Sequence, residues 1–253
     1  KIAIKTSDLL IIRNPYVILG IVLIGIFIVF LVSKMPQSKD ENNFPSIGDT
    51  IFDLKNNTNY IFGVIAQILY VGAQIMCWTY VYQYAEAINI DAVTAGYYQM
   101  IAFVLFIIGR AIGTYLLKHT NPGKLLLSFA ILSIALIQGT IFITGIVGLY
   151  ALVGVSFFMS IMFPTIYGIA LGDLTEEQSK IGSAGLVMAI VGGALMPKLQ
   201  GLIIDAGGNG VTDIKILGVS EVNFSFTLPL VCFSFIAWYG LKVFKNTAQK
   251  NNI

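Results

Sequence analysis

The sequence predicts an all-α protein that crosses a membrane several times, and three observations support this fold class. Of the 253 residues, 57% are hydrophobic and only 11% are charged, whereas a soluble domain carries about a quarter charged residues. The apolar residues come in runs long enough to cross a hydrocarbon core, which takes about 20 residues of helix. Runs such as residues 16–32 are apolar on every side, whereas the strands of a membrane β-barrel alternate polar and apolar residues. The composition therefore excludes an ordinary soluble enzyme.

Seven apolar runs are bounded by charged residues, Gly, Pro or Asn. We place these spans at residues 15–33, 60–85, 93–117, 124–147, 149–171, 181–204 and 223–244. The first run follows a mixed segment and is followed by Lys34, without a small-residue cleavage site. It is therefore interpreted as a membrane span and not as a signal peptide.

Charge asymmetry predicts the orientation of the spans, because Lys and Arg are enriched on the cytoplasmic side of membrane proteins. One side collects Lys34, Lys39, Lys55, Arg110, Lys118, Lys124, Lys180, Lys242, Lys245 and Lys250, and the other side holds Lys1, Lys5, Arg13 and Lys215. We assign the larger group to the cytoplasm. The C-terminus is then cytoplasmic and, with an odd number of spans, residue 1 lies outside.

The polar segment 34–59 divides the chain. We interpret it as a cytoplasmic linker between two helical bundles, so that residues 1–33 hold the last helix of the first bundle. Residues 60–253 then form a second bundle of six helices, joined mostly by tight turns. Because the chain starts outside the membrane, and with Lys, we expect it to be the C-terminal part of a longer protein.

Other classes of ligand are not indicated by the sequence. The net charge of +2 is small and its Lys and Arg residues are scattered, whereas nucleic-acid binding favours a basic cluster. Cys77 and Cys232 lie inside apolar runs without metal-ligand spacing, which predicts packing residues and no disulfide or zinc site. We expect no metal, no cofactor and no nucleic-acid partner.

Polar and aromatic side chains recur on one face of the second span. They are Gln67, Tyr70, Gln74, Trp78 and Tyr82, at spacings of three and four residues. Such side chains in a membrane helix face protein or a water-filled cavity, because lipid does not satisfy them. Amides beside aromatic rings suit a neutral polyol, whose hydroxyls form hydrogen bonds while its ring stacks on an aromatic face. The alternative is that these residues hold neighbouring helices together.

The fifth and third spans carry weaker versions of this pattern. Their members are Ser156, Ser160, Phe163 and Tyr167 in the fifth span, and Tyr98, Gln99, Phe103 and Phe106 in the third. Pro164 interrupts the hydrogen-bond ladder of the fifth span. A bend at membrane depth fits a moving gate or a cavity wall, although structural kinks are equally common. In the sixth span, Gly182, Gly185, Ala189, Gly192 and Gly193 predict a face of close helix contact.

Arg110 lies at the predicted cytoplasmic end of the third span, on the same side as Asp173, Glu176 and Glu177. An ion pair between Arg110 and one of these carboxylates would close the cytoplasmic face and break on opening. The alternative is that Arg110 simply anchors a helix end.

Carboxylates and catalytic motifs limit the chemistry. Asp and Glu residues of the second bundle fall at span ends or in loops, so a proton-coupled pump would need its titrating group elsewhere. The chain has no HExxH, Gly-x-Ser-x-Gly or phosphate-binding glycine loop. An enzyme is therefore not expected, and the rivals are a transporter and a noncatalytic membrane scaffold.

Four stretches resemble one known family. They are the run from Tyr70 to Tyr80, Ile108-Gly109-Arg110 with Gly113-Thr114, Met159 to Ile166, and Gly182-Ser183 with Met188 to Gly193. In order and spacing they resemble the L-fucose:proton symporters and glucose/galactose transporters of the major facilitator superfamily. That family has twelve spans in two bundles, so the seven spans here would correspond to the sixth through twelfth.

The resemblance implies sugar:proton symport by alternating access in a bacterial inner membrane. Phe106 matches a cavity-lining aromatic residue, and Phe163 stands where the fucose symporters have tyrosine, which keeps glucose, galactose and other hexoses open beside L-fucose. The implied partners are a sugar, protons, the lipid bilayer and the N-terminal bundle, to which the family's essential carboxylates belong. Gln74, Trp78, Phe106, Phe163, Gln67, Tyr82, Gln99 and Tyr167 are the expected sugar-binding residues, and Arg110, Asp173 and Pro164 the expected gating residues.

Overall fold

A computed structural model describes residues 2–33, 47–208, 212 and 214–250 of the chain. The chain divides into two compact units, Lys1–Asn43 and Phe44–Ile253. The first unit holds helix α1 (Ile2–Val32), whose apolar part is Tyr16–Val29. The predicted first span, residues 15–33, falls within this helix except for its last residue.

The second unit is built from helices and one short hairpin. Its helices are α2 (Ile47–Asn56), α3 (Thr58–Thr79), α4 (Val81–Ala87), α5 (Ala92–Leu117), α6 (Pro122–Phe142), α7 (Ile146–Met159), α8 (Met162–Leu171), α9 (Glu176–Met188), α10 (Gly192–Ile204), α11 (Glu221–Ser225) and α12 (Thr227–Lys250). Strands β1 (Lys215–Ile216) and β2 (Val219–Ser220) pair antiparallel. Three of the described spans are interrupted helices, because α7 continues into α8, α9 into α10 and α11 into α12.

Six helical segments among the described residues are long and apolar enough to cross a membrane. They are Thr58–Thr79, Ala92–Leu117, Pro122–Phe142, Ile146–Leu171, Glu176–Gly207 and Glu221–Thr247. These match the second to seventh predicted spans, with ends shifted by several residues. The apolar stretch in α1 is shorter. The all-α membrane fold is confirmed, whereas the count of seven spans is not.

Polar side chains set the beginnings of several helices. Asn57, Asp91, Asn121 and Thr175 each accept a hydrogen bond from a backbone N–H in the first turn of α3, α5, α6 and α9. These bonds satisfy amide groups that have no partner inside the helix. At α5, the Thr94 N–H lies 3.0 Å from one Asp91 oxygen and the Thr94 hydroxyl 2.7 Å from the other. Both bonds lower the pKa of Asp91.

Helix α3 is the centre of the second unit, with α8, α10 and α12 packed around it. Helix α7 lies between α5 and α6, and α12 runs along α6. The core contains fully buried aromatic side chains, including Tyr70, Tyr84, Phe226 and Tyr239. Cys77 and Cys232 are buried free thiols, which confirms that they are packing residues.

The small residues of α9 and α10 allow a close approach to α3. A Cβ atom added at Gly192 would collide with the carbonyl oxygen of Ile68 and lie 2.8 Å from its carbonyl carbon. At Gly193 the nearest atoms belong to Ile75 and Val71. The predicted helix-contact face of this span is therefore confirmed.

Helix α2 differs from the expected linker. Residues 34–46 lie outside the described residues, but residues 47–56 form a helix that packs on α3 and α9. Thr50 and Leu54 are buried, and Leu54 joins a small cluster with Tyr60, Ala170 and Leu186. The segment is mostly polar, but its two buried residues are four positions apart and therefore lie on one face of the helix. The linker predicted over 34–59 is thus structured in its second half.

We predict that Gly192→Ala destabilises the protein, whereas Gly154→Ala does not. The Cβ at position 192 would meet the backbone of Ile68, but at position 154 the nearest atom is Leu136 Cδ1 at an ordinary 3.6 Å. Overpacking costs about 1–3 kcal/mol, while Ala is favoured over Gly in an unstrained helix. Thermal unfolding in detergent measures both variants. Equal midpoints for the two would contradict the tight α3–α10 contact.

Candidate functional site

The polar stripe of α3 and α4 is closed at one end and open at the other. Gln67 and Tyr70 are completely buried in the second unit, Gln74 and Trp78 are half-buried, and Tyr82 is 43% exposed. Access thus increases from the first turns of α3 toward α4. Only the later residues of the stripe are thus exposed in this conformation, and its role in sugar binding stays a prediction.

Two of the expected sugar-binding glutamines are buried with unsatisfied amide atoms. Neither the side-chain nitrogen nor the oxygen of Gln67 has a hydrogen-bond partner among the described residues. Gln99 is 8% exposed, and its side-chain oxygen likewise finds no donor in the described part of the chain. A buried polar group without a partner is costly. Gln99 faces the bundle interior and not an open surface.

Trp78 joins α3 to two neighbouring helices. Its indole N–H donates to the hydroxyl of Ser156 on α7 at 3.2 Å. The ring centroids of Phe103 and Phe106 on α5 lie 5.0 and 5.1 Å from that of Trp78, both edge to face. Such pairs add stability beyond the area they bury. The predicted neighbours Trp78 and Phe106 are therefore in direct contact.

The fifth predicted span is broken between α7 and α8, at Ser160 and Ile161. Pro164 lies in the first turn of α8 and has no N–H, so the Ser160 carbonyl loses its helical donor. Arg110 of α5 replaces it, because Nε and Nη2 both donate to the Ser160 carbonyl oxygen at 3.2 Å. The guanidinium carbon also lies 5.1 Å from the Phe106 ring centre, a cation–π distance.

Close contact between α5 and α7 brings Arg110 to this carbonyl. A Cβ atom added at Gly109 would collide with the Phe157 carbonyl oxygen and lie 2.7 Å from the Ser160 hydroxyl oxygen. One turn later, a Cβ at Gly113 would lie 2.9 Å from Ile161 Cβ. The two glycines thus let the α5 backbone approach the break.

Tyr70 stabilises the same break from α3. Its hydroxyl donates to the Met159 carbonyl oxygen at 2.9 Å. The Phe163 ring centre lies 6.2 Å from that of Tyr70 and 6.4 Å from that of Tyr167, with the Phe163 and Tyr167 planes only 13° apart. Phe163 and Tyr167 are half-buried, while Pro164 is exposed.

Arg110 bonds the Ser160 carbonyl oxygen in this conformation, and its expected ion pair with Asp173, Glu176 or Glu177 stays a prediction. Asp173 lies thirteen residues beyond Ser160, which corresponds to about 20 Å of helix at 1.5 Å per residue. An arginine that bonds the Ser160 carbonyl does not span that distance. Arg110 is an exposed residue that caps the end of a broken helix, and Asp173 is exposed just after α8.

A second polar cluster, which the sequence analysis missed, lies around α11. The side-chain nitrogen of Asn223 donates to the Thr140 carbonyl oxygen at 2.9 Å and faces the Tyr84 hydroxyl at 3.4 Å. Gln200 of α10 donates to the Ser225 hydroxyl at 2.9 Å. Glu221, placed by sequence at a span end, begins α11 and is completely buried. In the sequence, this cluster was indicated only by isolated polar residues within apolar runs.

A cavity of about 290 Å³ lies between α2, α3 and α9. Its lining is apolar apart from Lys55 and Tyr60, and the Tyr60 hydroxyl already donates to the Gly182 carbonyl. None of the predicted sugar-binding residues lines it. The cavity therefore does not coincide with the polar stripe.

Six apolar helical segments of membrane-crossing length define a multi-pass α-helical membrane protein. The chain belongs to the Major Facilitator Superfamily, whose family model matches residues 5–197. The expectation that the chain does not belong to an enzyme is confirmed by this family.

The relatives are sugar transporters by name. The chain is 48% identical over 246 residues to an L-fucose-proton symporter of Haemophilus influenzae, covering 97% of this chain and 56% of that protein. It is 28% identical over 238 residues to a glucose/galactose transporter of Brucella abortus, covering 91% and 53%. A crystal structure of a Major Facilitator Superfamily transporter, FucP, in the outward conformation superposes with a TM-score of 0.75 at 30% identity, over 91% of this chain and 54% of that one. The chain thus spans about half the length of the relatives it matches.

We predict that Arg110→Gln lowers thermal stability less when it is combined with Pro164→Ala. In the native sequence the Arg110 variant leaves the Ser160 carbonyl without its charged donor, which costs about 1–3 kcal/mol. The Pro164→Ala substitution restores a backbone N–H that can donate to this carbonyl, so the loss is smaller. A double-mutant cycle measured by unfolding in detergent isolates the coupling. Additive effects would contradict the capping role.

Proposed function

We propose that the full-length protein takes up a hexose together with protons by alternating access. The observation that carries this proposal is the half-buried face of α3 that bears Gln74 and Trp78, where Trp78 contacts Phe106 and a broken helix bears Phe163. The names of the relatives support the same substrate class. This chain would supply the C-terminal bundle of the transporter.

The chemistry of the open face fits a neutral sugar. Gln74 and Trp78 are one turn apart, about 6 Å along the helix axis, which matches the size of a pyranose ring. The Gln74 amide donates to and accepts from hydroxyls, while the indole face stacks on the apolar side of the ring. The indole N–H is engaged by Ser156, so Trp78 contributes its ring. Tyr82 and Tyr167 are proposed as more peripheral contacts of the same site, and Gln99 as a contact that is buried in this conformation.

Phe163 offers no hydroxyl to a bound sugar, so the candidate sugars are ranked by the relatives of the chain. It presents a ring without a hydroxyl beside Tyr70 and Tyr167, so a hydrogen bond to the sugar is absent at this position. L-Fucose is the leading substrate because the relative with 48% identity is a symporter of that sugar. Glucose or galactose is the alternative, supported by the glucose/galactose relative.

Gating is proposed to use the break between α7 and α8. Pro164 and the Arg110 cap make it a point where the span can bend without exposing a backbone carbonyl to lipid. Asp173, at the far end of α8, would change its surroundings when that end moves. We place the protein in a bacterial inner membrane with its C-terminus in the cytoplasm, and assign proton-binding carboxylates to the N-terminal bundle.

A noncatalytic membrane scaffold is the second candidate. It is favoured by one observation, the hydrogen bond from Trp78 to Ser156, which ties two helices together as scaffold contacts do. The half-buried Gln74 beside it argues for the transporter. Mutation of Gln74 separates the two.

Gln74→Ala in the full-length protein is expected to weaken hexose binding about five- to a hundredfold, because a lost hydrogen bond to a bound hydroxyl costs about 1–3 kcal/mol. Trp78→Ala should weaken binding at least fivefold, while Trp78→Phe retains more of it. Calorimetry in detergent measures these affinities. Gln138→Ala, an exposed glutamine on α6, is the matched control. Unchanged binding in both Gln74→Ala and Trp78→Ala would make the stripe structural.

Reconstituted full-length protein is expected to accumulate radiolabelled hexose when an inward proton gradient is imposed, and a protonophore should abolish the accumulation. Competition among L-fucose, D-glucose and D-galactose identifies the preferred sugar. Accumulation that is unaffected by the protonophore would contradict proton coupling. Absence of uptake for all three sugars would contradict hexose transport.

A further inference from the structure

Gln67 is the one member of the stripe with no exposed surface and no hydrogen-bond partner for either amide atom among the described residues. A primary amide can donate two hydrogen bonds and accept two. It is unfavourable to bury an amide that forms none of these hydrogen bonds. An apolar residue such as Leu or Met would pack between two helices equally well. The unsatisfied amide points to a second arrangement of the bundle in which these bonds are formed.

The packing of α3 against α8 shows what covers Gln67. A Cβ at Gly63 would collide with that of Ala170, and the Tyr70 ring lies beside Phe163. These two contacts define an antiparallel register between the helices. Gln67 lies between them, level with Ile166 of α8, which is itself completely buried. Helix α8 therefore covers the part of α3 that bears Gln67.

Gln67 also lies on the same side of α3 as Gln74. Seven residues make almost two turns, so the two amides are aligned and about 10 Å apart along the axis. Gln74 belongs to the end of the stripe that is open here, and Gln67 to the end that is closed. A ligand that moves along this face would exchange one amide for the other.

We propose that Gln67 is a sugar-binding residue of the opposite access state. When α8 bends away at Ser160 and Ile161, it leaves this part of α3 and uncovers Gln67, whose amide then bonds hexose hydroxyls on the side that is closed here. This inference rests on the proposed hexose transport. It assigns the two glutamines to different faces of the membrane: Gln74 to the outer face and Gln67 to the cytoplasmic face.

The test uses full-length protein in oriented vesicles, right-side-out and inside-out, with half-saturating hexose concentration measured from each face. Gln67→Leu and Gln67→Met remove the amide and keep most of its volume. Both are expected to raise the half-saturating concentration about tenfold from the cytoplasmic face, the loss of one hydrogen bond, and by less than twofold from the outer face. Gln138→Leu is the matched control and should change neither value.

A second measurement does not depend on affinity. Gln67→Cys should react with a membrane-impermeant thiol reagent from the cytoplasmic face, faster with hexose cycling than without, and should be protected from the outer face. The protein without this substitution supplies the background. This readout decides the question if the Leu and Met variants accumulate poorly.

The outcomes separate the inference from the proposed function. If the unaltered protein transports no hexose, both fail. If it transports hexose and Gln67→Leu behaves like Gln138→Leu from both faces, Gln67 has no role in binding and the inference alone fails. Equal weakening from both faces, or a thiol in the Gln67→Cys variant that never reacts, would also overturn it.

Discussion

A backbone carbonyl inside a membrane must receive its hydrogen bond from the protein, because lipid offers no donor. Pro164 has no N–H to donate to the Ser160 carbonyl oxygen, so side chains of other helices in the second unit must supply the donor. Arg110 reaches the carbonyl from α5 and Tyr70 serves the neighbouring Met159 carbonyl from α3. A break in one span is thus stabilised by side chains of two others. Without these donors the chain between α7 and α8 would have to straighten or expose polar backbone.

The same contacts connect the break to the candidate site. Phe106 touches both the Arg110 guanidinium and the Trp78 ring, and Trp78 bonds Ser156 one turn before Ser160. Residues that hold the break therefore also orient the aromatic surface proposed for the sugar. Bending at Ser160 would change the shape of that surface, which is the physical link required between binding and access.

The sequence predicted the fold class well because an apolar run of sufficient length has few alternatives to a membrane helix. Pro164 also predicted the interruption of its span, because proline has no backbone N–H to donate to the carbonyl four residues earlier. The partner of Arg110 was not predictable, because a sequence gives position along a helix but not which neighbour approaches it. Gln67 and Gln74 share one helical face, yet their burial differs through the distant packing of α8. Helix α2 was missed because its polar residues hid two buried positions, Thr50 and Leu54.

The junction of α2 and α3 has a mechanical consequence. Only Asn57 separates the two helices, and its side chain caps the Tyr60 N–H at 3.1 Å. With Leu54 packed against Tyr60 and Leu186, this junction has almost no slack. A displacement of residue 47 would therefore be passed directly to the first turn of α3, because no flexible loop lies between the two helices. Helix α2 and the central helix α3 would then move together.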